Sequence, residues 1–363
     1  MKNRIIIYCY SLSGGAGRNV AIYANTISNH ICPVTVICSH CEDKINRSLH
    51  STIELRITNR SRNFYNIPTL IMATRELRPK LLFCIGESNS IIGAIALTLS
   101  FTKTLLVTRD TQDHISWLRH MNDVERRLKS WLASLSRRKA AKIISLCSEM
   151  KSRSLKMWKD NPSKYKIISN GVDLNEYKPS YEKKCINNKY TYLYVGRLEH
   201  QKSVDTLLRA FRIVELQKKQ SRLVIVGAGS MGDRYKRLAS SLSISNISWE
   251  GYKSNPDPYY ASCDCFVLPS LYEGFPNVII EAMSFGLDVV STDCPTGPSD
   301  VLCGGKYGKL VSCQAPEEMA CAMLEVRKEP ADPAQIRRRA EDFSLSIKKN
   351  KIIDLFNKLV YKN

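Results

Sequence analysis

A chain of 363 residues with 44% hydrophobic content is long enough for two ordinary domain cores, and its net charge of +20 excludes a neutral or acidic surface. Residues 1–170 carry 27 Lys and Arg against 11 Asp and Glu, whereas the remainder carries 27 against 23, so the first half is the one suited to an anionic partner: a phospholipid surface, nucleic acid or a phosphorylated substrate. The 13 cysteines, many inside apolar runs (Cys9, Cys84, Cys147, Cys265), do not form a disulfide framework, and the close pairs Cys38/Cys41 and Cys263/Cys265 lack a second pair at zinc spacing, so no metal is expected.

The opening Met-Lys-Asn-Arg runs straight into Ile5–Tyr8 with no long apolar region or small-residue cleavage site. No uncharged stretch reaches the length of a membrane span, the best candidate, Ile91–Phe101, being too short. The chain is therefore expected to stay in the cytoplasm. In the first half, Arg4–Tyr10, Val34–Cys38, Lys80–Ile85, Thr104–Thr108 and Lys142–Ser145 predict short strands, with helices such as Arg18–Ser28 and Pro68–Leu77 between them. Ile115–Lys139 predicts a helix with an apolar stripe at Trp117, Met121, Val124, Leu128, Trp131 and Leu135 and many Arg and Lys on its polar sides. Two placements fit that pattern: a basic amphipathic helix in a membrane interface, or a helix packed on the sheet with a basic outer face.

The polar stretch Asn170–Lys189, with the turn Asn170-Gly171, reads as a linker. The alternation then resumes: Tyr190–Val195, Ser203–Gln217, Arg222–Val226, Gly232–Ser241, Ile247–Trp249, Pro258–Ala261, Cys265–Pro269, Asn277–Phe285 and Asp288–Ser291. Ser346–Val360, with Ile347, Ile352, Leu355 and Leu359 at helical spacing, predicts a terminal helix. Repeated βα units imply two doubly wound α/β domains of Rossmann-like type, at 1–169 and 190–345, joined by the 170–189 linker, with 346–363 packing back toward the first.

Three glycine-bearing loops follow predicted strands. Ser13-Gly-Gly-Ala-Gly17-Arg18 opens the first helix, where glycines permit close backbone approach and free N–H groups favour a phosphate; a tight turn without a ligand fits the same residues. Gly227-Ala-Gly229-Ser-Met-Gly232 satisfies the dinucleotide spacing, with Glu250 about twenty residues on, although a strand and helix precede it. Val195-Gly-Arg197-Leu-Glu-His-Gln-Lys202 places two cations on one strand-end loop, where both can reach a diphosphate. Finally, Glu273-Gly-Phe-Pro-Asn-Val-Ile-Ile-Glu281 brackets a strand-to-helix turn with two carboxylates, Glu273 on the loop and Glu281 about two turns into the helix. Carboxylates at the carboxyl edge of an open sheet suit the paired hydroxyls of a sugar, while an ordinary helix with two solvated acids gives the same letters.

Val195-Gly-Arg-Leu…Lys202, Val224–Gly229 and Glu273…Glu281-Ala-Met resemble the carboxy-terminal domain of retaining glycosyltransferases of family 4. Ser291-Thr-Asp-Cys-Pro-Thr-Gly-Pro-Ser-Asp300 resembles a signature of its bacterial surface-polysaccharide members, and Gly14-Gly15-Ala-Gly-Arg18 and Ile168-Ser-Asn-Gly-Val-Asp-Leu fit as well. The resemblance implies the GT-B fold, two Rossmann-like domains facing a cleft, with the nucleotide-sugar donor held by the carboxy-terminal domain and the acceptor by the basic amino-terminal one. It implies that Arg197 and Lys202 grip the donor diphosphate, Glu281 the ribose and Glu273 the donor sugar. Gly15, Gly227, Gly229, Phe275, Pro276 and Asn277 complete the donor site. Arg109 is the preferred match for the amino-terminal polar residue, with His114 and His120 as rivals and Arg18 as a further acceptor-side candidate. Many members carry a longer acid where Asp300 stands, which sets that position apart.

The resemblance further implies transfer of a hexose or N-acetylhexosamine from a UDP-sugar to a lipid-linked oligosaccharide or a lipopolysaccharide, capsule or O-antigen precursor, at the inner face of the cytoplasmic membrane. A GDP-mannose-type donor is the alternative within the fold. No D-x-D triplet occurs, which agrees with chemistry without a metal or other cofactor. Of other classes, an NAD-dependent oxidoreductase rests only on the 227–232 glycines. A nucleic-acid-binding protein rests only on charge and lacks a zinc module, a recognition-helix motif or an aromatic RNA signature, so no nucleic-acid partner is expected.

Overall fold

The computed structural model describes residues 3–113, 118, 121–174 and 189–361. They divide into two compact units, one of Met1–Asn170 with Ser346–Asn363 and one of Gly171–Leu345.

The first unit is built on a seven-stranded parallel sheet: β1 (Ile5–Tyr8), β2 (Val34–Cys38), β3 (Glu54–Ile57), β4 (Leu81–Ile85), β5 (Leu105–Arg109), β6 (Ala140–Ser145) and β7 (Tyr165–Ile167), in the order β3-β2-β1-β4-β5-β6-β7. Helices α1 (Gly14–His30), α2 (Asp43–Ser48), α3 (Ile67–Leu77), α4 (Glu87–Ser100), α5 (Asp123–Lys139), α6 (Ser148–Trp158) and, from the far end of the chain, α7 (Leu345–Tyr361) accompany it. β1 is apolar throughout because both faces of the sheet are covered. Ile5 and Ile7 pack with Val20, Tyr23 and Ile27 of α1 and Ile352 and Phe356 of α7, whereas Ile6 and Tyr8 pack with Leu70 of α3 and Ile92 and Leu97 of α4.

The second unit repeats the scheme with six parallel strands: β8 (Tyr190–Val195), β9 (Ser221–Val226), β10 (Ile247–Gly251), β11 (Cys265–Leu268), β12 (Asp288–Thr292) and β13 (Lys309–Val311), in the order β10-β9-β8-β11-β12-β13. Its helices are α8 (Val204–Gln217), α9 (Gly232–Ser241), α10 (Asp257–Ser262), α11 (Asn277–Ser284), α12 (Pro298–Leu302), α13 (Pro316–Lys328) and α14 (Pro333–Glu341), α14 packing on α11. Tyr192, Tyr194, Leu223 and Ile225 meet Leu207 and Phe211 of α8 and Met319 and Met323 of α13 in its core.

Two readings of the sequence need correction. Of the helix predicted over Ile115–Lys139, residues 115–117 and 119–120 lie outside the described residues; α5 itself begins at Asp123, where Asn122 has extended backbone and its side chain accepts from Glu125 N at 2.8 Å, a cap that fixes the first turn. The apolar stripe of α5 is not its packed face, since α5 buries Ala133, Ser136 and Arg137 and leaves Val124, Leu128, Trp131 and Leu135 exposed. In α7 the inward series is Lys348, Ile352, Leu355, Phe356 and Val360, with Ile347 turned out, so a lysine occupies a position that the apolar pattern assigned one residue earlier. No helix among the described residues is long and apolar enough to cross a membrane.

Candidate active site

In open parallel sheets a crevice forms at the carboxyl edge where the strand order reverses. In the second unit that point lies between β8 and β11, and the loops leaving those strands are tied together there. Lys202 Nζ donates to Glu273 Oε1 at 2.6 Å, Gln201 Nε2 to Tyr272 O at 2.7 Å and Leu271 N to Gln201 O at 2.9 Å. Glu273 is buried, and Ser270 Oγ donates to the same carboxylate oxygen at 2.6 Å. Thr296 Oγ1 donates to the Glu273 carbonyl, so the loop after β12 braces it from a third side. Thr296 holds a left-handed backbone at φ 62° and Gly297 follows at φ 109°. A side chain on Gly297 would drive its Cβ to 2.5 Å from Pro276 Cδ.

Arg197 stands exposed on the same loop as Lys202, with no ion pair among the described residues. Its backbone is fixed from below: Tyr194 Oη donates to Arg197 O at 2.8 Å. The neighbouring loop after β9 is locked on it. Glu199 accepts from Ser230 N at 2.9 Å and from Ser230 Oγ at 2.7 Å, contacts that hold its carboxyl below the usual range. Leu198 N donates to Ala228 O at 3.0 Å, and Met231 N to Leu198 O at 2.9 Å.

Gly227 and Gly229 are explained by this lock. A Cβ on Gly227 would lie 1.8 Å from Gly196 O, and one on Gly229 2.5 Å from Leu198 O. Their lack of side chains serves loop-on-loop packing whatever binds above them, which accounts for dinucleotide-like spacing in mid-domain.

Glu281 is half-buried just over one turn into α11, nearer its start than the sequence reading placed it, and its Oε2 accepts from Tyr260 Oη at 3.0 Å. Phe275 is buried, its ring 5.8 Å from that of Phe343. Pro276 caps α11, and Asn277, its first residue, keeps a buried Oδ1 without a partner. Asp300 lies in the first turn of α12, where Arg339 Nη2 donates to its carbonyl at 2.7 Å.

In the first unit Gly14 has φ +52° and its N–H points to Glu42 Oε2 at 3.2 Å, so an acid already sits at the start of α1. Gly15 has nothing within 4 Å of a would-be Cβ, whereas one on Gly17 would lie 2.7 Å from the Leu12 carbonyl carbon. Arg18 is exposed beside it. Arg109, the last residue of β5, is buried; its Nη2 donates to Asn170 Oδ1 at 2.7 Å and its Nε has no partner among the described residues.

Lys348 was missed in the sequence because a lone lysine in a basic helix carries no pattern. It is 2% exposed, and its ammonium and the Arg109 guanidinium both lie over the Tyr23 ring, at 5.3 and 5.6 Å. Burial, with Arg109 nearby, holds the Lys348 ammonium well below its ordinary range. His114 and His120 lie outside the described residues. The remaining candidates thus form two groups, Arg197, Lys202, Glu273 and the 227–229 loop in one unit, and Gly15, Arg18 and Arg109 in the other.

Comparison with known proteins bears on both units. Residues 13–176 match the family described as Glycosyltransferase Family 4, and residues 179–343 that described as Glycosyl transferases group 1. The chain is 32% identical over 190 residues to an N-acetylgalactosaminyltransferase of Campylobacter jejuni named for a diphospho-undecaprenol-linked acceptor, covering 50% of this chain and 51% of that one. It is 24% identical over 314 residues to an amylovoran biosynthesis glycosyltransferase of Erwinia amylovora, covering 83% of each. The alignment to an uncharacterized glycosyltransferase of Methanocaldococcus jannaschii, 32% identical, spans 40% of this chain and 38% of that protein, so the chain matches only about a third to a half of some of its curated relatives. Among solved structures, HepE of Anabaena in complex with UDP has a TM-score of 0.81 at 18% identity, over 98% of this chain and 100% of that one. With that fold, and with one or the other family description matching nearly every residue from 13 to 343, the chain belongs to the family 4 glycosyltransferases of GT-B architecture.

Proposed function

We propose that the protein transfers a hexose or N-acetylhexosamine from a UDP-sugar to a lipid-linked oligosaccharide or another lipopolysaccharide, capsule or O-antigen precursor, with retention of anomeric configuration and without a metal ion. The observation that carries the reading is the Lys202–Glu273 pair at the strand-order reversal of the second sheet, with Arg197 on the same loop and without an ion pair among the described residues. The cations suit a diphosphate, and the carboxylate suits the sugar hydroxyls next to it. The UDP bound in the Anabaena relative and the diphospho-undecaprenol-linked acceptor in the name of the Campylobacter relative support the choice of donor and acceptor.

In the proposed reaction the acceptor hydroxyl attacks the anomeric carbon on the face from which the diphosphate departs. The new C–O bond forms as the bond to the phosphate oxygen breaks, and that oxygen takes the acceptor's proton. Charge growing on the diphosphate is met by Arg197 and Lys202, and Glu273 steadies the positive charge at the anomeric centre. Arg109 and Arg18 belong to the acceptor side of this scheme, together with the anionic inner face of the membrane.

Thermal shift against a set of nucleotide sugars, followed by transfer to extracted lipid-linked acceptors, tests the proposal. UDP-sugars are expected to raise the melting temperature and one of them to label the lipid fraction with chelator present. A shift by GDP-mannose alone would change the donor, and binding of a nicotinamide nucleotide with no nucleotide-sugar binding would overturn the reading.

A further inference from the structure

A helix on the surface of a folded domain normally turns its apolar stripe inward; α5 does the reverse. Its Ala133, Ser136 and Arg137 are buried and the helix packs on α4, with Arg137 satisfied by Asp110 at 3.1 Å and Asp160 at 2.9 Å. The opposite side presents Val124, Leu128, Trp131 and Leu135, which are 78%, 55%, 59% and 40% exposed. At 3.6 residues per turn these four fall within an arc of roughly 60°, centred opposite the buried residues.

The charges around this stripe that no partner compensates have one sign. Arg126 is paired to Asp123 and Lys129 to Glu125, whereas Arg127, Arg138 and Lys139 are exposed with no carboxylate partner among the described residues. The cationic surface continues past the end of the helix. Lys139 leads into β6, which pairs with β5 from Leu106, and before β5 opens a cavity of about 740 Å³. Arg75, Arg78, Lys80 and Lys103 line it without any acid, beside a Phe101 that is 87% exposed.

We propose that α5 lies in the interface of an anionic bilayer, with Val124, Leu128, Trp131 and Leu135 at the acyl boundary and Arg127, Arg138 and Lys139 at the lipid phosphates. An apolar arc that includes a tryptophan and an uncompensated basic rim match a lipid surface on both counts. A second protein copy would bring the same cations face to face. The inference rests on the membrane-linked acceptor proposed above and names the surface that would meet it.

The test is co-sedimentation of the whole protein with vesicles of phosphatidylcholine alone or mixed with phosphatidylglycerol. Wild type should bind the anionic vesicles, lose binding as salt rises, and show a blue-shifted Trp131 emission that Trp131→Phe abolishes. The double variant Leu128→Glu/Trp131→Glu should keep its melting temperature and its UDP affinity while partitioning falls by about tenfold or more. Unchanged vesicle binding by that variant would overturn the proposal. So would a lipid-free dimer, seen by sedimentation velocity, that the double variant splits. Failure to bind UDP in a protein that still binds vesicles would remove the proposed reaction and leave the membrane face standing.

Discussion

Lys202 Nζ and Glu273 Oε1 lie 2.6 Å apart, and Ser270 donates to the same oxygen, so the cation assigned to the donor phosphates and the acid assigned to its sugar are each other's counter-ion in the free protein. Glu273→Gln should therefore separate two effects. Transfer should fall by about 10²–10³-fold, as when a preorganised charge is removed from a reacting centre. UDP, which lacks the sugar, should bind as well as before or better, because Lys202 is released. Calorimetry of UDP binding beside a transfer assay checks both, and near-wild-type turnover would remove Glu273 from its assigned role.

Two glycines with the same sequence appearance should answer differently to alanine. Gly229→Ala places a Cβ 2.5 Å from Leu198 O and should cost about 1–3 kcal/mol in urea unfolding, because it forces the loops after β8 and β9 apart. Gly15→Ala meets nothing within 4 Å and sits in the first turn of α1, where alanine is favourable; its stability should hold or rise. Any loss of transfer in Gly15→Ala then reports a ligand that needs the space. Equal stability losses in the two variants would contradict the packing described for Gly229.

Lys348 supplies a pH signature. Its folded pKa is depressed below its unfolded value, so the folded state binds fewer protons and stability should rise with pH from the folded pKa toward the ordinary lysine value of about 10.4. Lys348→Met removes the buried base at similar volume. It should flatten that slope and raise stability at neutral pH by about 1–3 kcal/mol. Melting temperatures of both proteins across neutral to alkaline pH decide it, and a destabilised, pH-insensitive variant would speak for a charge that the fold requires.

The central strands were legible because a strand buried on both faces is an uninterrupted apolar run, as in β1 and β11. The edge strands β3, β7 and β13 were not. Glu54 and Arg56 of β3 pair with Arg4 and Glu76 on a one-sided edge, and such a pattern looks like a polar loop. The site showed the same division. Arg197, Lys202, Glu273 and Glu281 were legible as candidates because they sit at fixed distances from readable strand ends. The bracing by Thr296 and Tyr260, and the place of Lys348 over Tyr23, depend on contacts between distant segments. The packing of the Phe275 ring against Phe343 was equally invisible in the motif that contains it.

The first unit takes its last helix from beyond the second. Ile352, Leu355, Phe356 and Val360 of α7 fill the same core as Tyr23 and Phe83, with the Phe356 ring 5.2 Å from that of Phe83. During synthesis, then, the chain that is made first is completed last: the second unit is contiguous and can close as it leaves the ribosome, while one face of the first sheet, covered only in part by α1, waits for α7. A chain cut after residue 345 would carry a complete second unit and a first sheet with part of its apolar face exposed, the state that chaperones recognise.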